Sequence, residues 1–334
     1  MIHCVVSRCA RRSFKNVLKG GLKLAQASRV SKKFWSGHRG GMMGYVFVAP
    51  SIVFIVIFVV LPIAASFYYS LTSYDLVKAP KLIGLANYAQ MLEDERYSRA
   101  ITNTLYFAGV TVPAGVVTSL LLATLINRQI RGIYFYRAMF YMPVVSSMVS
   151  VALIWLWLYE PQFGLFNDIL ESLGLPRLKW LRSSTTSMLS IIILSVWKNM
   201  GLNMVIYLAG LQGIPPHLME AAEIDGAGKY SQFFRITLPL LAPTTYFVVI
   251  VYFIGALQMF VQIWVMTPVF GAGGGGYQLG GPVDSTITVV VLIYENAFAY
   301  LKMGYGAAMS VGLFVVIAGV TLINARLLRY DVGY

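Results

Sequence analysis

The chain has 334 residues, 58% of them hydrophobic and only 12% charged, with a formal net charge of +13. A soluble domain carries about twice that share of charge, so the composition excludes an ordinary soluble enzyme and defines a membrane protein. Two cysteines, Cys4 and Cys9, and three scattered histidines, His3, His38 and His217, supply neither a disulfide framework nor a metal-ligand set, and no cofactor is expected.

Residues 1–42 form a basic tail, with ten Lys and Arg before Gly40 and no acid until Asp75. No folded module or base-stacking aromatics accompany this charge, so nucleic acid is not its partner. It reads as a cytoplasmic tail that sets orientation and touches anionic membrane lipid, or, being acid-free with Arg and Ser, as a transit peptide. Residues 43–330 then read as one transmembrane domain of six apolar spans, at 43–71, 101–126, 135–158, 188–211, 242–266 and 307–328. Each makes a helix of about 33–44 Å, enough to cross a bilayer with some tilt. The first is too long for a signal-peptide core and reads as a retained anchor. The expected fold is therefore all-α, a polytopic membrane protein with six transmembrane helices. With the N-terminus inside, the tail, 128–137, the loop at 215–239, Arg326 and Arg329 hold 17 of the 26 basic residues. That asymmetry places both termini in the cytoplasm.

The spans contain no Asp or Glu. Ion-driven carriers usually place an ionisable residue at mid-membrane, so a secondary transporter is disfavoured, although neutral oxygens can bind sodium. One cation, Lys198, lies inside the fourth span. It either snorkels to the headgroups or contacts an anionic solute.

Between the fourth and fifth spans lies a polar interruption. Pro215 and Pro216 suit a first helical turn, and 218–224 reads as a short helix. Gly226 and Gly228 break it, and a second helix over 229–237 brings Phe233, Phe234 and Ile236 together before Pro239 ends it. A hairpin of this size cannot bury itself, so a partner must cover it. Its wording, Glu220-Ala221-Ala222, Asp225-Gly226-Ala227 and then Phe233-Phe234-Arg235-Ile236-Thr237-Leu238-Pro239, resembles the EAA loop of bacterial ABC importer permeases. The resemblance implies coupling helices that sit in a groove of a separate ATPase, with Glu220, Ala221, Ala222, Asp225, Gly226 and Ala227 at the contact.

Other stretches extend the likeness to 43–329. The run 80–113 resembles the approach to the second span in carbohydrate-type permeases. Arg137-Ala138-Met139-Phe140-Tyr141-Met142-Pro143 resembles their third span, and 304–313 the opening of their last. The family implies a fold of the type I importer kind in the bacterial inner membrane. Its implied partners are a second permease subunit, an ATPase dimer and an extracytoplasmic solute-binding protein. Its implied solute is a sugar, oligosaccharide or glycerol-phosphate; a non-sugar solute is the alternative. The chain itself has no ATPase motif, since Glu223 and Tyr230 occupy positions around Gly228-Lys229 where a phosphate loop needs Gly and Ser or Thr. The run 271–276 fits the dinucleotide pattern G-x-G-x-x-G but follows a membrane span and no strand, so it reads as a flexible loop.

Polar residues inside the apolar spans mark a candidate solute path. Ser195, Asn199 and Asn203 recur every four residues and share one helix face, and Gln258 and Gln262 are expected to do the same, with Gly255 and Met259 alongside and Tyr252 one to two turns earlier. Amides and hydroxyls suit sugar hydroxyls; the same residues could instead bond helix to helix. By position, the maltose-type permeases nominate Ser195, Asn199, Leu202, Tyr252, Gly255, Ala256 and Met259.

Overall fold

The computed structural model describes residues 38–128, 131–270 and 277–327. The tail before residue 38, the glycine run 271–276 and Arg329 lie outside the described residues. Two compact units meet in sequence at Ala65 and Ser66. Helix α1 begins at His38 and continues through a π turn at Val56–Val60 to Ser70. After it come α2 (Ala86–Glu93), α3 (Glu95–Ile126), α4 (Ile133–Val145), α5 (Met148–Leu158), α6 (Leu165–Ser172) and α7 (Ser187–Gln212). The hairpin comprises α8 (Pro216–Ile224) and α9 (Lys229–Leu240). The remainder holds α10 (Ala242–Leu257), α11 (Val261–Met266), α12 (Val289–Ala299) and α13 (Met303–Leu327). The strands among the described residues form two short antiparallel ladders, Thr72–Ser73 with Lys81–Leu82 and Pro268–Phe270 with Tyr277–Leu279.

Four helices are long and apolar enough to cross a membrane unbroken, and two bent pairs, Ile133–Val145 with Met148–Leu158 and Lys229–Leu240 with Ala242–Leu257, bring the count to six if each is one span. The third span is not one helix: α4 and α5 meet at 98°. Pro143 withholds a backbone donor there, and Ser146 and Ser147 adopt extended angles, ψ 145° and 135°. The fifth span also breaks. Helix α10 stops at Leu257, Phe260 leaves the helical region at φ −138°, and α11 starts afresh. Gln258 and Gln262 therefore do not share a helix face.

Two starts fall earlier than the apolar count places them. Helix α3 begins at Glu95 because Asp94 caps it, its Oδ1 accepting from the Arg96 and Tyr97 amides at 2.9 and 3.4 Å. The last span begins at Met303. Pro239 does not end the hairpin's second arm, which runs to Leu240 before a 63° bend into α10. A proline ring collides with the carbonyl four residues back. Here that residue, Arg235, lies in a π turn over Phe233–Thr237, whose wider winding moves the carbonyl aside. Pro62 follows the Val56–Val60 turn in the same way.

Helices α3, α7 and α10 form the packed centre. Phe107 and Ala108 of α3 meet Ile191 and Ile192 of α7 and Tyr252 and Ala256 of α10 in one buried cluster, joined by Leu292 and Met309. Toward the hairpin a second cluster gathers Ala123, Tyr207, Leu211, Leu241 and Val248. At the end away from the hairpin, Trp155, Tyr159, Phe166, Trp180 and Trp197 pack ring against ring, with Tyr159 and Trp180 centroids 4.9 Å apart.

Arg96 organises that distal end. Its Nε and Nη2 donate to the two Asp284 carboxylate oxygens, each at 3.1 Å, and Nη1 donates to Glu295 at 3.0 Å. Glu295 is buried, and its other oxygen accepts from the Leu279 amide at 2.9 Å. Val283 and Asp284 sit at φ +58° and +55°, a left-handed conformation that neither side chain favours. The Arg96 fork and two bonds from Asn103 Nδ2 to the Asp284 and Ile287 carbonyls hold that loop in place. Arg96→Met should cost about 2–3 kcal/mol, less than a fully buried pair because the Arg96 side chain is 28% exposed. A lower thermal midpoint of the solubilised protein would read it, and Glu295→Gln in the same chain should recover part of the loss.

Candidate functional site

A cavity of about 210 Å³ opens where α3, α7 and α10 meet. Helix α7 brings Ser195, Asn199 and Asn203 to it, as their four-residue spacing requires, with Leu202 beside them. Helix α10 brings Tyr252, Gly255 and Ala256, and the break beyond it brings Met259 and Gln262. The break is itself pinned, because Thr288 Oγ1 donates to the Met259 carbonyl at 3.1 Å. Gln258 stays outside the cavity: as the residue closing α10 it is exposed. From α3 come Phe107 and Thr111, which a reading confined to the fourth and fifth spans overlooks. Their signal is present in the sequence, since Phe107, Thr111 and Gly115 follow one another at four-residue intervals on a single face.

Gly115 makes the closest approach in the site. A Cβ there would overlap the Tyr252 ring, so the absence of a side chain is what lets that ring pass between α3 and α10. The Tyr252 hydroxyl points at the Ser195 carbonyl, 3.5 Å away, and Asn199 Nδ2 donates to the same carbonyl at 2.9 Å. Three other polar atoms at the cavity are buried without a partner: Thr111 Oγ1, Ser195 Oγ and Asn203 Nδ2. Every residue lining the cavity is uncharged. Lys198, adjacent to Asn199 in sequence, is turned elsewhere. Its ammonium is buried and donates to the carbonyls of Pro143, Val144 and Ser146 across the break in the third span, so it neither snorkels nor enters the cavity.

The hairpin carries the second cluster of candidate residues. Helix α8 ends at Ile224 with Asp225 as its cap, and Gly226 follows at φ +78°, the left-handed stop that glycine adopts without strain. The Ala227 amide closes the turn onto the Ala222 carbonyl at 2.9 Å, and Gln232 Nε2 donates to the Ala227 carbonyl at 2.9 Å. Ala222 is packed inside the elbow, while Glu220, Ala221, Asp225 and Gly226 face outward. Beside them three large apolar side chains stand exposed: Ile224, Tyr230 and Phe234, at 87%, 85% and 61%. A hollow of about 550 Å³ lies between the arms, bordered by Asp225, Ala227, Ser231 and Arg235.

The fold, the hairpin and the central cavity together describe a multi-pass membrane permease. Residues 95–329 match the family described as binding-protein-dependent transport system inner membrane component, and the chain belongs to that family. It is 35% identical over 306 residues to the probable ABC transporter permease protein YesP of Bacillus subtilis, covering 91% of this chain and 96% of that one. It is 33% identical over 293 residues to the sn-glycerol-3-phosphate transport system permease protein UgpA of Yersinia pestis, covering 87% and 95%. Among solved structures, a bacterial ABC transporter involved in import of the acidic polysaccharide alginate superposes with a TM-score of 0.75 over 90% of this chain and 100% of that one. At 24% identity, that likeness establishes the fold.

The Gly115 contact yields a direct check. Gly115→Ala should force the Tyr252 ring aside and cost about 1–3 kcal/mol through overpacking. The thermal midpoint should fall, and Tyr252→Leu in the same chain should recover most of the drop.

Proposed function

We propose that this chain forms one half of the translocation path for a sugar or sugar-like solute in a bacterial ABC importer, and that the 215–239 hairpin couples it to a separate ATPase. The reading is carried by the neutral polar lining of the cavity, Thr111, Ser195, Asn199, Asn203 and Gln262, set in otherwise apolar spans. A polar group set against lipid without a partner costs several kcal/mol, so such side chains must face protein or a wetted cavity, and these line a cavity. Neutral hydroxyl and amide groups beside the Phe107 and Tyr252 rings suit a hydroxyl-rich solute with apolar C–H faces. UgpA, a permease of a sn-glycerol-3-phosphate transport system, supports the class of solute; the uncharged lining favours recognition through hydroxyls over recognition through phosphate.

The partners follow from the same reading. A second permease subunit completes the path, an extracytoplasmic binding protein delivers the solute, and an ATPase dimer hydrolyses ATP. The exposed Ile224, Tyr230 and Phe234 give the hairpin apolar anchors for the ATPase groove, with Glu220 available for a charge-assisted contact. Both termini then lie in the cytoplasm. Reporter fusions near residues 20, 132, 226 and 332 should read inside and those near 85, 170 and 275 outside. A periplasmic reading at 226 would remove the ATPase contact.

Two variants separate coupling from insertion. Glu220→Lys and Gly226→Pro should abolish ATPase co-purification and transport while membrane levels stay normal. Normal transport in both would show that the hairpin is not the coupling element. For the path, Asn199→Leu should lower transport-coupled ATP hydrolysis at least tenfold with assembly unchanged, whereas Gln258→Leu, outside the cavity, should stay within twofold of the parent. Loss of assembly before loss of transport at Asn199 would return that residue to a purely structural role.

A further inference from the structure

Lys198 is buried in the middle of an apolar helix, 52 to 55 residues in sequence from the groups it bonds. All three of its N–H donors are directed at backbone carbonyls, those of Pro143, Val144 and Ser146, with Val144 at 3.0 Å and Ser146 at 2.8 Å. These carbonyls belong to the end of α4 and the residue after it, where the third span turns through 98°. A helix end leaves its last carbonyls without intrahelical partners and carries a partial negative charge. At membrane depth no water is present to satisfy them. Two liabilities thus cancel: an ammonium in an apolar span and a helix stopped inside the membrane.

The approach is close enough to matter for α7 as a whole. Gly201 lies three residues beyond Lys198 on the same face, and a Cβ there would overlap the Phe140 carbonyl oxygen of α4. One side of α7 is therefore pressed against α4 and tied to its end. The adjoining side presents Ser195, Asn199 and Asn203 to the cavity. Helix α7 cannot rotate about its axis without breaking the Lys198 bonds or driving Gly201 into Phe140.

We propose that Lys198 is a positioning residue of the path: by closing the broken end of α4 it fixes the face that α7 turns toward the cavity. The role in transport rests on the reading of that cavity as the solute path; the tie itself does not. Lys198 makes no contact with the solute. The bend in the third span and the presentation of Asn199 are two consequences of one set of hydrogen bonds, so they should change together.

The test uses the whole complex with its partner subunits in nanodiscs, with Cys4 and Cys9 of this chain replaced by Ser. Spin labels at Tyr134 and Trp157, both exposed, report the bend. With helices of 1.5 Å rise meeting at 98°, their separation is about 22 Å, against about 35 Å for a straight helix. In a parallel chain, Asn199→Cys is labelled with a positively charged methanethiosulfonate reagent. Lys198→Met should lengthen the spin-label distance by more than 5 Å and change the labelling rate at least fivefold, with complex recovered in normal yield. Lys198→Gln, which keeps two donors without the charge, should bring both readings back toward the parent; Gln behaving like Met would place the effect in the charge and overturn the capping account. Gly201→Ala tests the same tie from the backbone side and decides the matter if the Met variant is not recovered. It should shift both readings in the direction given, and unchanged readings would overturn the proposal. If Asn199→Cys in the parent chain never reacts, the path reading fails and the spin-label distances alone judge the tie.

Discussion

A helix that stops inside a membrane exposes carbonyls and amides that nothing in the lipid can satisfy. This chain interrupts helix repeatedly, and at several of the interruptions a side chain from elsewhere supplies a missing bond. Lys198 does so for the end of α4, Thr288 for Met259 beyond α10, and Asn103 for the Asp284 and Ile287 carbonyls before α12. Asn87 Nδ2 serves Ser70 and Thr72 past α1. Asn167, fully buried, donates to Pro161 and Leu178 and accepts from the Leu178 amide and the Trp180 indole. These side chains are spent on backbone at the breaks, whereas Thr111, Ser195, Asn199 and Asn203 line the central cavity.

That division explains what could be read from residue order. The apolar runs and the hairpin are local properties: length and hydropathy mark the spans, and Gly226 marks a left-handed stop wherever it is met. The fold class and the α7 half of the cavity follow from them, since Ser195, Asn199 and Asn203 share a face by spacing alone. The breaks are not local. The run around Pro143 is as apolar as its neighbours, and its turn is stabilised by a lysine more than fifty residues away. Gln258 misled because a four-residue interval to Gln262 implies a common face only if the helix continues, and it does not. Thr111 was equally legible in kind, but a single hydroxyl in a long apolar helix gains meaning only when Tyr252 is found lying against Gly115 beside it.

The two prolines that follow π turns carry a related lesson. Pro62 and Pro239 sit in sequences that a local rule would end or kink, yet the helix passes through both. The chain widens by one residue just ahead of each ring instead of breaking. In the hairpin this carries α9 on to Leu240, so the arm bearing Phe233 and Phe234 runs directly into the bend before α10. A movement imposed on the hairpin thus reaches, across a single turn residue, a helix that lines the cavity.

Helix α3 gives the opposite end a comparable reach. It is a rod of 32 residues, about 48 Å long, gripped at its tip by the carboxylates around Arg96 and passing the cavity at Phe107 and Thr111. Pro113 interrupts its hydrogen-bond ladder two residues beyond Thr111 and two before Gly115. A beam loaded at its end yields where it is most compliant, and here the soft point coincides with the stretch of wall that the Tyr252 ring rests on. Force arriving through the Val283–Asp284 loop would be spent as flexure at the level of the cavity, leaving the halves of the rod above and below it straight.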